Sequence, residues 1–229
     1  MKRFWKAVAV EPHGGTWGIS LDGRQVRTPA KTELALPSAE LAQAIADEWD
    51  SVGEKIDPRS MPLTGLANAA IDRVAADKKA FAEGVARYAE SDLLFYRAEG
   101  PNPLIERQEQ AWDPLLSWAR RRYDVDFETT SGLIHVAQPA ATVDRLAHEV
   151  ALLDGFHLAG LSPLVTISGS LIAGLAVAEE AVSAEAAWDA VTVDERWQME
   201  QWGSDAEAEL ALANRKADFL AAARFLKLL

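Results

Sequence analysis

The stretch Trp17-Gly18-Ile19-Ser20-Leu21-Asp22-Gly23-Arg24-Gln25-Val26-Arg27 decides how the chain begins. Trp17, Ile19 and Leu21 alternate with Gly18 and Ser20, the two-residue period of a strand. Asp22-Gly23 separates this run from residues 24–27. An Asp-Gly pair at that place predicts a tight hairpin, because both turn positions need φ > 0. Upstream, residues 4–10 read as another strand, connected through Pro12 and Gly14-Gly15. Downstream, Thr28-Pro29 breaks the sheet and residues 33–36 allow one more short strand. A helix follows from Ser38, an N-cap behind Pro37, with Glu40 in its first turn. Leu41, Ile45, Trp49 and Val52 form its apolar stripe, and Gly53 ends it.

From Pro62 the periodicity is almost wholly helical. Leu63, Leu66, Ala67, Ala70, Ile71 and Val74 form one stripe, and Phe81, Val85, Tyr88 and Phe95 a second. Pro101 and Pro103 open a segment carrying Ile105, Trp112, Leu116 and Ala119. Asp113-Pro114 inside it predicts a kink or restart, and Arg120, Arg121 and Arg122 suit its C-terminal dipole. Two short strands are expected around Ser131-Gly132. Val143, Leu146, Val150 and Leu153 mark a helix ended by Gly155. Residues 161–178, 183–202 and 205–229 complete the helical set. The expected class is therefore α+β. A small β-rich N-terminal domain with one packed helix spans residues 1–60, and a larger helical domain spans 61–229.

Composition narrows the function. Among 229 residues there are 35 acids, 23 Lys and Arg, four His and no Cys, for a net charge of −12. No disulfide and no Cys-ligated zinc site can form. The charge argues against a nucleic-acid binder or a polybasic membrane-surface protein. The most apolar window, residues 158–178, holds Pro163, Thr166, Ser168, Gly169 and Ser170, and reads as a buried helix rather than a membrane span. The four-residue spacing of Ser170 and Gly174 allows close helix packing. No secretory signal is expected, since the apolar run after Arg3 is short and breaks at Glu11-Pro12. His13, His135, His148 and His157 lack metal-ligand spacing. No phosphate loop appears, and Gly18–Gly23 matches a nucleophile elbow poorly. No metal and no cofactor are expected.

One segment stands out. Residues 177–213 carry ten acids against Arg196 alone, with Trp188, Trp197 and Trp202 among them. On a continuous helix, Trp188, Val191, Glu195, Gln198 and Trp202 step by three, four, three and four along one face. A carboxylate on that apolar stripe is costly unless paired. Glu195 therefore either closes an internal salt bridge, with Arg73, Arg87 or Arg107 as candidates, or meets a protein partner on an aromatic-lined surface. A catalytic acid is the third reading, and it makes a small-molecule enzyme with an acid in an interdomain cleft the alternative function.

Several segments, in order, carry a resemblance. They include Arg3-Phe4-Trp5-Lys6, Leu21-Asp22-Gly23-Arg24, Thr28-Pro29 and Leu36-Pro37-Ser38. Ala46-Asp47-Glu48-Trp49, Met61-Pro62-Leu63-Thr64 and Ala70-Ile71-Asp72 follow. Then come Ser91-Asp92-Leu93-Leu94, Gln108, Trp112-Asp113-Pro114-Leu115, Trp118, Asp194-Glu195, Gln198 and Trp202-Gly203. From end to end the chain resembles the assembly chaperones of the ATP synthase catalytic head (the F-one sector) that handle its alpha subunit. The resemblance implies a non-enzymatic protein without cofactor that keeps an unassembled alpha subunit soluble until a beta subunit replaces it. It implies the bacterial, cytoplasmic form, and a monomer is expected. It also implies a functionally important acid in the segment matching Asp194-Glu195; helical phase favours Glu195. The partner-binding residues are expected to be Glu195, Asp194, Gln198, Trp188 and Trp202.

Overall fold

A computed structural model describes residues 2–132 and 134–229. The N-terminal sheet has three antiparallel strands in the order β1 (Val8–His13), β2 (Thr16–Leu21) and β3 (Arg24–Gln25). The predicted Asp-Gly hairpin is present. Leu21 pairs with Arg24, and Asp22 and Gly23 have φ of 49° and 78°. The Asp22 carboxylate accepts from the backbone N–H groups of Ala7 (2.9 Å) and Lys6 (3.1 Å). Those bonds hold its pKa below the usual carboxylate value.

The first strand starts later than the sequence predicted. Residues 4–7 precede it, and Trp5 turns inward, buried against Trp49 with ring centroids 5.2 Å apart. Pro12 lies inside β1, opposite Trp17, which is tolerated because β1 is an edge strand. Residues 33–36 give only isolated bridges, Arg27 to Glu33 and Trp17 to Leu36.

Ser38 caps α1 (Ala39–Ser51) by accepting from the Leu41 N–H at 3.0 Å. The next helix, α2 (Pro62–Ala69), has no cap of its own. Glu48 of α1 supplies one. Its buried carboxylate accepts from Leu63 N (2.8 Å), Thr64 N (2.8 Å) and Thr64 Oγ1 (2.7 Å). These are orphan donors of a helix start. A π turn follows at Ala70–Val74, where Asp72 accepts from Thr28 Oγ1 (2.7 Å) and Ala30 N (3.0 Å).

The contacts divide the chain into two units. The first contains residues 1–78, 154–160 and 224–229. Its core joins Ile19 and Leu21 of the sheet, Leu41 and Ile45 of α1, Leu63 of α2, and Phe225. Ser38 Oγ also donates to the Leu228 carbonyl.

The second unit contains residues 79–153 and 161–223. Helix α3 (Lys78–Ala86) leads through short 3-10 turns to β4 (Tyr96–Arg97), which pairs in parallel with β5 (Thr130–Ser131). That pairing is what the described residues show of the two strands expected around Ser131-Gly132; Leu133 lies outside them. Helix α4 (Asn102–Tyr123) is one continuous helix. The expected restart at Asp113-Pro114 does not occur, because Asp113 pairs with Arg97 at 2.5 Å rather than capping a new helix. Helix α5 (Ala140–Leu152) ends at a Leu153 C-cap, and Gly155 opens α6 (Gly155–Ser168) instead of closing α5. In α7 (Leu171–Ala178) a Cβ on Gly174 would lie 2.8 Å from Val165, so the predicted close packing is real. Ser170 serves as the α7 N-cap. No helix among the described residues is long and apolar enough to cross a membrane. The chain ends with α8 (Ala184–Val191), α9 (Val193–Trp202) and α10 (Ala206–Lys227).

Candidate functional site

The acidic segment is not one helix. It breaks at Thr192, which is fully buried, has φ −107° and ψ 15°, and donates its hydroxyl to the Trp188 carbonyl at 2.7 Å. The run from Trp188 to Trp202 is therefore shared between two helices, α8 and α9. Trp188 belongs to the core: it is 1% exposed and packs on Phe219 at 5.6 Å. It supports the segment from beneath and offers a partner no surface in this conformation.

Helix α9 buries none of its residues, and Trp202 at its end is 78% exposed. Gly203, with φ 81°, lets the chain leave the helix in a conformation that favours glycine. Two grooves flank α9. The first, about 330 Å³, is lined by Gly100, Pro101 and Leu104 on one side and by Asp194, Trp197, Gln198, Gln201 and Trp202 on the other. The second, about 410 Å³, lies between α9 and α10, with Glu195, Met199, Trp202, Ala208, Ala211, Leu212 and Arg215 among its walls. Gln198 and Trp202 line both.

The two adjacent acids are placed differently. Glu195 Oε1 accepts from Arg215 Nη1 at 2.6 Å. The internal salt bridge is thus made, with Arg215 and not with Arg73, Arg87 or Arg107. Arg107 goes instead to Glu200 (2.7 Å) and stacks over Trp197, 4.8 Å from the ring centre. Asp194 has no arginine. Its Oδ1 accepts from Gln108 Nε2 at 2.7 Å. Gln108 is 1% exposed, and its own carbonyl oxygen accepts from Ala98 N at 2.8 Å. That backbone donor fixes which end of the amide faces Asp194. Two more acids of the segment pair with arginine, Glu179 with Arg122 (2.5 Å) and Asp189 with Arg196, while Glu180, Glu185, Asp205, Glu207 and Glu209 have no such partner among the described residues. Asp194 is held by a neutral amide, pairs with no cation among the described residues, and lines the first groove.

The arrangement can bind and orient a cationic or amide-rich protein surface. No cluster of His, Asp or Glu among the described residues could hold a metal ion.

A family model described as ATP12 chaperone protein matches residues 2–120 of the chain. The crystal structure of Atp12 from Paracoccus denitrificans is 44% identical, with a TM-score of 0.94, and the match covers 99% of this chain and 97% of that one. The chain belongs to the ATP12 chaperone family. A protein from Agrobacterium tumefaciens is 39% identical, also with a TM-score of 0.94, over 99% of this chain and 85% of that one. Among curated proteins, the mitochondrial protein atp12 of Schizosaccharomyces pombe is 26% identical over 215 residues, covering 89% of this chain and 74% of its own length. As an ATP12 chaperone the protein serves assembly of the ATP synthase F1 sector, and the family binds the alpha subunit. It is not an enzyme, so the catalytic-acid reading of Glu195 is set aside.

The sequence reading gave no role to Gln108 or Arg215. For Gln108 a signal existed. It occupies the step between Ile105 and Trp112 on the apolar stripe of α4, where an amide needs an explanation. Arg215 carried no such signal, because it lies 20 residues from Glu195 on a separate helix.

Proposed function

We propose that the protein holds the unassembled alpha subunit through the exposed face of α9, and that a beta subunit later takes its place. The contact residues are Asp194, Gln198 and Trp202. Glu195 and Trp188 shape the surface from within, the first through Arg215 and the second through the core. The observation that carries this reading is a 78% exposed tryptophan on the same groove as a carboxylate that no arginine neutralises. Large exposed aromatics beside a fixed charge are the usual anchors of protein interfaces. The surrounding negative charge speeds encounter with a basic surface. The bacterial sources of the two solved relatives support a bacterial cytoplasmic setting, and we read the working form as a monomer.

A tagged chain recovered from its source cell tests the reading. The expected result is co-purification of alpha subunit free of the finished synthase, lost on Trp202→Ala while the melting temperature holds. Recovery of intact synthase would indicate a permanent subunit and refute the chaperone role. Undiminished alpha capture by Trp202→Ala would refute the α9 face.

A further inference from the structure

The second unit repeats one device. Arg97 lies over the Trp112 ring at 5.0 Å and pairs with Asp113 at 2.5 Å. Arg107 lies over Trp197 at 4.8 Å and pairs with Glu200 at 2.7 Å. Arg215 lies over Trp188 at 5.8 Å and pairs with Glu195 at 2.6 Å. In each case a guanidinium is shared between an indole face and a carboxylate. The planar cation favours this, stacking on the ring while its edge donors reach the acid.

Trp202 and Asp194 are the same pair without the arginine. Both line the first groove. Among the described residues no cation stacks on Trp202, and the Asp194 oxygen that Gln108 leaves unused, Oδ2, has no hydrogen-bond partner. The eight helical steps from Asp194 to Trp202 span about 12 Å of rise. Both side chains line the same groove. A long side chain lying along α9 bridges them, its stem across the indole and its head at Asp194. A groove of about 330 Å³ has room for one side chain.

We propose that this groove receives one arginine side chain from the partner, stacked on Trp202 and hydrogen-bonded to Asp194, with Gln108 holding the carboxylate in place. The site rests on the alpha-subunit reading above and specifies the group it recognises. Charge complementarity selects the occupant. The groove is negative, its aromatic face is free, and the unit's other three tryptophan–acid pairs each hold an arginine.

The test has two arms, both on the full chain. In the first, N-acetyl-arginine amide and its uncharged isostere N-acetyl-citrulline amide are titrated while the Trp202 indole N–H is followed by NMR. The arginine probe is expected to move that signal and the citrulline probe to leave it, with the response lost in Asp194→Asn. Equal responses to the two probes overturn the proposal. In the second arm, Asp194→Asn and Trp202→Ala are each expected to weaken alpha binding by about tenfold or more without change in melting temperature. The double variant should be no weaker than the worse single one, because both changes remove the same contact. Should Trp202→Ala abolish binding while Asp194→Asn leaves it intact, the arginine site fails and the α9 face stands. Should the arginine probe respond while the wild-type chain ignores alpha subunit, the site stands and the functional reading fails. Silence in both arms removes both.

Discussion

Neutralising Glu195 separates a surface pair from a structural pin. Glu195 and Arg215 are 42% and 43% exposed, so water screens their attraction. Exposed ion pairs contribute roughly 0.2–1 kcal/mol, against about 3–5 kcal/mol lost when a fully buried pair is broken. A second term works in the opposite direction. Although the side chain is half exposed, Oε2 itself is shut from solvent and has no donor. Leaving a carboxylate oxygen in that state costs roughly 1 kcal/mol, which an amide in its place reduces. The two effects nearly cancel. Glu195→Gln is therefore expected to change stability by less than about 1 kcal/mol, or roughly 2–4 °C in melting temperature for a chain of this size. Arg215→Met keeps the stem that packs toward Trp188 and removes the charge. A double-mutant cycle over the two should give a coupling of about 0.5–1 kcal/mol. Thermal unfolding followed by circular dichroism measures the cycle, and alpha binding is read on the same samples. A coupling of 3 kcal/mol or more would mean that the pair behaves as buried. Loss of alpha binding in Glu195→Gln, with Asp194→Asn unaffected, would move the partner's contact to the other side of α9.

Two stability predictions come from buried carboxylates elsewhere. Glu48→Gln replaces one acceptor oxygen with an amide NH2 that faces the N–H of either Leu63 or Thr64, so α2 loses one of its two capping acceptors; the expected cost is about 3 kcal/mol, a fall of roughly 10 °C by calorimetry, and a change under 2 °C would count against the capping role. Asp92 is fully buried, its oxygens accepting from Leu94 N and Ile172 N at 3.0 Å each, and burial raises its pKa from 3.8 to about 6 despite those bonds. The folded state then binds the proton more tightly, so this group's contribution is full below about pH 4 and is lost as pH rises through 6. Relative to Asp92→Asn, the wild type should lose roughly 2 kcal/mol between pH 4 and 7 by denaturant unfolding, and a flat difference would refute the assignment.

Local signals carried the parts of the fold that local chemistry determines. Asp22-Gly23 specified its hairpin because the turn demands positive φ at both positions, and Ser38 specified a helix start because a hydroxyl there satisfies an orphan N–H. Reading failed where a distant residue supplied the partner. Asp113-Pro114 has the sequence of a helix start, but Arg97 takes the carboxylate and α4 runs through. Met61 has no capping side chain, and Glu48 reaches it from α1. Residues 154–160 and 224–229 join the first unit, and nothing in their own periodicity marks them for it. At the candidate site the loss was one of depth. Thr192 ends α8 by bonding to Trp188, which is buried in the core, while Glu195 on α9 stays half exposed and is joined to Trp188 through Arg215. Composition identified the segment, while choosing between its two acids needed Gln108 and Arg215.

That choice also bears on how the chaperone releases its partner. Trp202 and Leu210 are the large apolar side chains that the segment exposes, 78% and 61% respectively. Two such residues anchor an interface, but they are too few to hold it as a permanent subunit contact is held, by a large apolar core. The remaining attraction comes from charge at the edge of a groove open to water. Charge of that kind raises the association rate far more than it slows dissociation. On the proposed reading, an alpha subunit held this way would dissociate readily and be recaptured quickly, and a beta subunit offering a larger apolar interface would displace the chaperone by mass action. The neutralised Glu195 fits the same logic. Had both acids faced the partner uncompensated, the contact would have gained affinity and lost reversibility. Arg215 pairs Glu195 beside the second groove, and Asp194 is left without an arginine beside the first, which Trp202 also lines.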